Sequence, residues 1–254
     1  MFHVDLKNKT ILVTGASDGI GREIARMLMK NGARVAVHYN RNREKASELV
    51  AEFPSTGSKT FKADLTEIKD SLELWREVLV AFGHIDAVVL NAGVYLEHKL
   101  SESDSEWFDV WKQTISINLD SAGMLTRKAI EHFKARGGGR LVYIASRAAF
   151  RGETEEYLAY SASKGGLVSL ARTVARSFGK YNIKSFILSP GFVKTNMADQ
   201  FIKVHGKQRI LDELSLKQLT EPKDLSPLVA LMCSGLMDHA TGATIDVNAG
   251  SHIR

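Results

Sequence analysis

The sequence has little cysteine, little proline and no long uncharged apolar run. Its single cysteine, Cys233, cannot close a disulfide within the chain, so the fold must rest on its core, and such a chain is expected in a reducing compartment. Four prolines in 254 residues leave no proline-rich linker. Pro54, Ser55 and Gly57 mark a turn, Gly137, Gly138 and Gly139 end a helix, and neither break is long enough to separate domains. No stretch approaches the roughly 18 consecutive apolar residues of a membrane span, and residues 1–7 lack the basic-then-apolar order of a secretory leader. A cytoplasmic protein without a membrane partner is expected. Nor is there a large excess of one charge: 34 basic residues against 29 acidic give +5, spread along the chain, which does not call for a nucleic-acid partner. Eight histidines show no close metal-ligand spacing. No catalytic metal is expected, and His38, His84, His132 and His239 read as surface or supporting groups.

What is present is a globular composition, 44% hydrophobic and 25% charged, which excludes a disordered or fibrous chain. Short runs rich in valine, isoleucine and leucine recur at residues 10–14, 34–38, 60–63, 87–90, 140–145, 184–188 and 244–247, with helix-length segments between them. Apolar runs without alternation suit strands buried on both faces, as in a parallel sheet. Parallel neighbours need crossovers, so the order predicts an open α/β sheet with helices on both faces and right-handed connections, one domain over residues 1–254. Residues 21–31 predict a helix, with Ile24, Ala25 and Leu28 on one face and Gly32 beyond its end.

The first run ends in Thr14-Gly15-Ala16-Ser17-Asp18-Gly19-Ile20-Gly21 and passes straight into that helix. Glycines let the backbone turn tightly and approach a pyrophosphate, and the free amides and positive dipole end of the helix attract its charge. A plain strand-to-helix turn is the alternative, but the position after the first strand of an alternating chain favours a dinucleotide site.

Tyr160 and Lys164 stand one helical turn apart, so on a helix over residues 160–178 they share a face. A free phenol has a pKa of about 10, and a neighbouring ammonium is expected to bring it toward neutrality, where it can act as general acid or base. Ser146 follows the fifth strand, where its hydroxyl can donate to a substrate carbonyl oxygen. Asn118 is a polar residue in an apolar setting, a core amide unless it serves the site.

The TGxxxGxG spacing, Asn91-Ala92-Gly93, Asn118, Ser146, Tyr160-Ser161-Ala162-Ser163-Lys164 and Pro190-Gly191 fall in one order along the chain, continuing to Asp246-Val247-Asn248-Ala249-Gly250. In this it resembles the short-chain dehydrogenase/reductase family. The resemblance implies a single-domain, Rossmann-type, doubly wound parallel sheet of about seven strands with helices on both faces, and an NAD(P)-dependent hydride transfer between nicotinamide and a carbonyl or secondary alcohol. It implies a catalytic tetrad of Asn118, Ser146, Tyr160 and Lys164, in which Lys164 also binds the nicotinamide ribose and Asn118 positions a relay water. The cofactor would be held by Gly15, Ser17, Asp18, Gly19, Ile20 and Gly21, by Asp64 and Leu65 at the adenine, and by Asn91, Ala92 and Gly93. Tyr39, Asn40 and Arg41 at the end of the second strand and Pro190, Gly191, Val193 and Thr195 complete that set with Tyr160 and Lys164. Asp64 has the alternative reading of a helix cap, as has Thr195.

Three departures bear on what the chain binds. The second strand ends in Tyr39, Asn40 and Arg41 with no acid to receive the ribose hydroxyls of NAD; Arg41 can pair with the extra phosphate, so NADP is expected over NAD, although Asp18 stands where many NADP-using relatives are basic. Ser146 and Tyr160 are 14 positions apart, one more than in many relatives, with Arg147, Arg151 and the acidic Glu153-Thr154-Glu155-Glu156 between; the shape of the substrate pocket is what this affects. Leu90 replaces another asparagine. Residues 192–220 are expected to form a substrate lid whose apolar face and basic rim suit an acyl chain on an acidic carrier.

Within the family the chain is most like 3-oxoacyl-(acyl-carrier-protein) reductases, with Arg136 and Lys180 near the helix ends where such enzymes meet their carrier, though neither matches the docking residues cleanly. Sugar or polyol dehydrogenation is the rival, and a catalytically silent NAD(P) sensor is a third reading. A nucleotide-sugar epimerase shares the tyrosine and lysine, but the chain is short for it. Helices over residues 107–133 and 158–178 are expected to pair across a two-fold axis, giving a dimer or tetramer.

Overall fold

The computed structural model describes residues 4–195 and 206–254. Seven parallel strands, β1 (Thr10–Val13), β2 (Arg34–Tyr39), β3 (Lys59–Lys62), β4 (Ala87–Leu90), β5 (Gly139–Ile144), β6 (Ile183–Pro190) and β7 (Thr244–Val247), form one sheet in the order β3-β2-β1-β4-β5-β6-β7. The predicted runs and the strands agree to within one or two residues. Chain order reverses beside β1, which opens a crevice at the carboxyl ends of β1 and β4.

Alternation along each strand feeds two apolar layers. Ile11 and Val13 face a layer built with Ile24, Ala25 and Leu28 of α1 (Gly19–Lys30) and Leu225 and Val229 of α9 (Pro222–Ser234). Leu12 faces the other, with Leu74 and Val78 of α3 (Ile68–Phe82), Leu125 and Phe133 of α5 (Ser121–Arg136) and Leu167 and Ala171 of α7 (Leu158–Phe178). Period-two alternation buries both faces, which is why the strands read as continuous apolar runs. The remaining helices are α2 (Arg43–Ala51), α4 (Asp104–Ile115), the short α6 (Ala148–Arg151) and α8 (Lys207–Glu213). Among the described residues no helix is long and apolar enough to cross a membrane.

Two predicted placements are corrected by packing. Tyr39 is 7% exposed and packs in the first layer, where it follows the inward alternation of β2, and Leu65, in the turn after β3, is 4% exposed in the second. His38 is no surface group either. It is 2% exposed, its Nδ1 accepts the Gly15 amide at 2.9 Å, and its Nε2 lies 3.2 Å from the Ala63 carbonyl oxygen. Only the neutral tautomer protonated on Nε2 satisfies both neighbours.

Burial holds the His38 imidazole down to about 4, well below its usual range. The unfolded chain therefore takes up a proton below about 6.5 that the fold refuses until about 4, and stability rises with pH across that window. Stability is expected to be fully present above pH 6.5 and to fall by on the order of 3 kcal/mol toward pH 4 from this residue alone. Urea midpoints measured from pH 7 to 4 check it, with His38→Asn expected to flatten the slope.

Candidate active site

The glycine loop is fixed by side chains at the carboxyl edge of the sheet. The Thr14 hydroxyl accepts the amides of Asn91 and Ala92 at 2.9 and 3.0 Å, and Asn91 Nδ2 donates to the carbonyls of Thr14 and Gly15 at 2.8 and 3.1 Å. Loop and β4 are thus sewn together through groups whose burial requires partners. Gly15 and Gly19 have φ of +63° and +54°, the left-handed region that glycine enters without strain. Gly21 serves by close approach: a Cβ there would be driven into the Gly15 carbonyl and Asn91 Nδ2. α1 begins two residues earlier than predicted, at Gly19, because the Asp18 carboxylate accepts the Gly19 amide at 2.8 Å. That carboxylate also pairs with Lys45 at 2.6 Å. First-turn amides have no partner within the helix, and Ile20 of this turn lines the cleft that also holds Asn91, Gly93 and Thr195.

On the opposite wall stand Ser146, Tyr160 and Lys164. Ser146 Oγ accepts the Ala148 amide at 3.1 Å and hydrogen bonds the Tyr160 phenol. Lys164 is 4% exposed, and its Nζ donates to the Ile144 carbonyl at 2.9 Å and lies 5.7 Å from the centre of the Tyr160 ring. A Cβ on Gly93 would come within 3.4 Å of Lys164 Nζ and 3.3 Å of Asn118 Oδ1, so glycine there leaves room for both polar heads. Asn118 is at the centre of a π-turn, Ser116–Asp120, between α4 and α5. Its Oδ1 accepts the Val94 amide at 2.8 Å, and its Nδ2 donates to the Val94 carbonyl and to Ser163 Oγ, each at 3.0 Å. Such single wide turns often mark functional positions; this one aims an amide at the loop that leaves β4.

The expected depression of the Tyr160 pKa by Lys164 is overturned in this arrangement. Burial pushes the phenol up to about 12; the Ser146 hydrogen bond lowers it, the Glu153 carboxylate raises it and the Arg147 guanidinium lowers it. Lys164 is turned to Ile144, and burial pulls its own ammonium down to about 8. At neutral pH the site holds a protonated phenol beside a charged lysine.

Residues 9–204 match the family model for short chain dehydrogenases. The chain belongs to the short-chain dehydrogenase family. A 3-oxoacyl-(acyl-carrier-protein) reductase of Staphylococcus epidermidis is 31% identical over 249 residues, covering 97% of this chain and 100% of that one. A 7alpha-hydroxysteroid dehydrogenase of Bacteroides fragilis is 28% identical over 246 residues, covering 96% of this chain and 94% of its own. Among solved structures, a protein of Agrobacterium tumefaciens provisionally named a gluconate dehydrogenase superposes with a TM-score of 0.89 at 26% identity, covering 99% of this chain and 98% of that one.

In this short-chain dehydrogenase the cleft gathers Pro190, Gly191 and Val193 with the residues already named. Thr195 donates to the Val193 carbonyl at 3.2 Å, and its methyl would meet a Cβ on Gly19 at 3.3 Å, so it packs against the glycine loop. Asp64 does not cap α3, whose cap is Glu67. Its carboxylate accepts the Thr66 amide and hydroxyl at 3.0 and 2.8 Å and hydrogen bonds Asn40, and these contacts, with the Arg41 charge, hold it below the usual carboxylate range. Ser17 and Ala92 lie beside the cleft and do not line it. Of the proposed lid, residues 196–205 lie outside the described residues.

Six residues on the cleft were not among the predicted contacts: Tyr95, Ile144, Ala145, Arg147, Glu153 and Phe192. The extra residue and charge run before Tyr160 signalled Arg147 and Glu153; nothing in the local pattern singled out Tyr95, which stacks on Tyr157 at 3.8 Å between ring centres and meets Tyr160 edge-on at 4.7 Å.

Gly21→Ala is expected to weaken dinucleotide binding by 10-fold or more, on the order of 1–3 kcal/mol for overpacking beside a fixed carbonyl. Fluorescence titration with reduced dinucleotide measures it, and an unaltered dissociation constant would show that the loop can yield there.

Proposed function

We propose that Tyr160 is the proton carrier, Ser146 the donor that orients the carbonyl oxygen, and Lys164 the group tying proton transfer to a seated cofactor, with Asn118 supporting the relay behind them. The observation that carries this reading is the meeting, on one cleft, of a polar face made by Ser146, Tyr160 and Lys164 with the open first turn of α1. The bare approaches at Gly15, Gly21 and Gly93 fit a flat, phosphate-bearing dinucleotide. A bound nicotinamide supplies or accepts the hydride.

In reduction, the Ser146 hydroxyl, already accepting from Ala148, donates to the substrate oxygen and holds it against the Tyr160 phenol. That phenol gives up its proton as charge develops on the oxygen. The developing phenolate gains from the Lys164 ammonium, and Lys164 turned from Ile144 toward the ribose hydroxyls would hold the cofactor. Arg41, exposed at the tip of β2, is the group we assign to the extra phosphate of NADP. Relatives named for a carrier-linked thioester, a hydroxysteroid and a sugar acid share this chemistry, so the reading fixes the reaction class. The exposed Phe108 on α4 and Leu158 on α7 would be covered by a second copy in a dimer or tetramer.

Tyr160→Phe is expected to keep dinucleotide binding and lose 10²-fold or more of turnover, roughly the contribution of a positioned proton donor. Binding of NADPH without turnover of any carbonyl by the wild type would favour the sensor instead. For reduction, kcat/KM should decline as pH passes about 8, where Lys164 loses its charge; a profile flat to pH 9.5 rejects the role given to that ammonium. The kcat/KM ratio for NADPH over NADH is expected to exceed one and to drop about 10-fold in Arg41→Ala, as for loss of one phosphate contact; a wild-type ratio below one overturns the NADP assignment.

A further inference from the structure

Next to the reacting groups the cleft carries a second polar set that the proton-transfer chemistry does not use. Arg147 follows Ser146 directly in the chain, and its side chain is only 3% exposed. One nitrogen, Nη2, donates to Glu213 Oε2 at 2.9 Å, and the guanidinium lies over the Phe192 ring, 4.7 Å from its centre. Its Nη1 is buried without a hydrogen-bond partner among the described residues. Opposite in charge and on the same cleft is Glu153, its side chain 10% exposed, 3.9 Å from Arg151 Nη2. Arg151 also reaches Glu213, at 3.4 Å. The set is two guanidiniums and two carboxylates, neutral in sum.

Arg147 and Glu153 line the same cleft as Ser146 and Tyr160. A buried donor left unpaired and a desolvated carboxyl are costly unless a ligand completes them. An alkyl chain in this position would leave Nη1 unpaired and Glu153 with only its Thr154 backbone hydrogen bond and the more distant Arg151 charge. A carboxylate substrate would meet Glu153 beside an arginine already paired with Glu213, in a set that has no net positive charge to offer. Hydroxyl groups, which accept from Nη1 and donate to a carboxylate, complete both without adding charge.

We infer that Arg147 and Glu153 are specificity-determining residues that select an uncharged polyhydroxylated carbonyl, or its polyol, through hydroxyl groups adjoining the reacting carbon. The inference rests on the hydride-transfer reading of the same cleft. It favours the sugar or polyol class over acyl thioesters, with Phe192 and Tyr95 as the apolar walls.

The test uses the full chain with NADPH or NADH, whichever supports faster turnover, and compares kcat/KM for erythrulose, 2-butanone and acetoacetyl-N-acetylcysteamine. Erythrulose is expected to exceed both others by about 30-fold or more, since a site built to pair with hydroxyls discriminates strongly against analogues that lack them. In Arg147→Met the erythrulose-to-butanone ratio should fall by about 10-fold or more, mainly through KM, with partial recovery in Arg147→Lys. An electrostatic effect of Arg147 on Tyr160 acts on both substrates and cancels in the ratio. Butanone or the thioester equalling erythrulose in the wild type overturns the proposal, as does a variant that slows all substrates in parallel. The wild-type comparison decides even where Arg147→Met does not fold. If Tyr160→Phe abolishes turnover while butanone is preferred, only the specificity fails; if none of the three is turned over, or Tyr160→Phe retains full turnover, the reaction itself has been misread and the specificity falls with it.

Discussion

Everything at the carboxyl edge of the sheet depends on holding a glycine-rich turn in place. Backbone groups buried at a strand end require partners, and here they come from neighbouring strands. His38 on β2 takes the Gly15 amide, and Asn91 beyond β4 gives to the Thr14 and Gly15 carbonyls where the turn begins. These bonds set where α1 starts and how close its first turn comes to Gly93 and Lys164. The turn is therefore positioned by three strands at once, and a disturbance at any of them reaches the cleft as a displacement of the α1 amides.

Desolvation is the second organising force, and it acts in opposite directions on the two groups that matter most. A buried phenol is kept protonated and a buried lysine is drawn toward neutrality. The lysine was expected to prepare the tyrosine for ionisation. With Nζ directed at the Ile144 carbonyl, the protein instead stores a proton on Tyr160 and reserves much of the lysine's field for a later partner. The fold thus arrives equipped as a proton donor, the state that carbonyl reduction needs first. Alcohol oxidation needs the opposite charge state, and the cost of reaching it falls on whatever replaces Ile144 as the neighbour of Lys164.

Sequence alone disclosed the architecture because both-faces-buried strands leave an unmistakable apolar run, and Gly32 marks the end of helix α1; the Asp18 cap that starts this helix at Gly19 went unread. It disclosed Ser146, Tyr160 and Lys164 because strand ends and helical spacing place them without knowledge of packing. It missed where Tyr39, Leu65 and His38 point, since alternation within short strands is ambiguous when both faces are apolar. It also missed that Asp64 is occupied by Thr66 and Asn40, because an Asx-type contact and a helix cap begin with the same residue types. Charge balance within the Arg147, Arg151, Glu153 and Glu213 set was illegible, as Glu213 is more than 60 positions distant in the chain from Arg147.

That last set shows how one fold keeps a reaction while changing what it acts on. Ser146, Tyr160 and Lys164 are anchored to β5 and α7, whose packing against the sheet leaves them little freedom. The segment between Ser146 and Tyr160 lies outside the sheet and is tied to other loops, Arg147 to the Pro190 carbonyl and the Glu156 carbonyl to the His98 amide, so an added residue there can bring charged side chains to the cleft without moving Ser146 or Tyr160 off their strand and helix. Buried polar groups discriminate more sharply than apolar walls, because a ligand that cannot pair with them leaves their desolvation uncompensated. On the reading proposed for Arg147 and Glu153, a neutral set of two cations and two anions would disfavour a charged substrate as well as an apolar one, so selection among carbonyls would rest with this wall and the hydride chemistry behind it would have no need to distinguish among them.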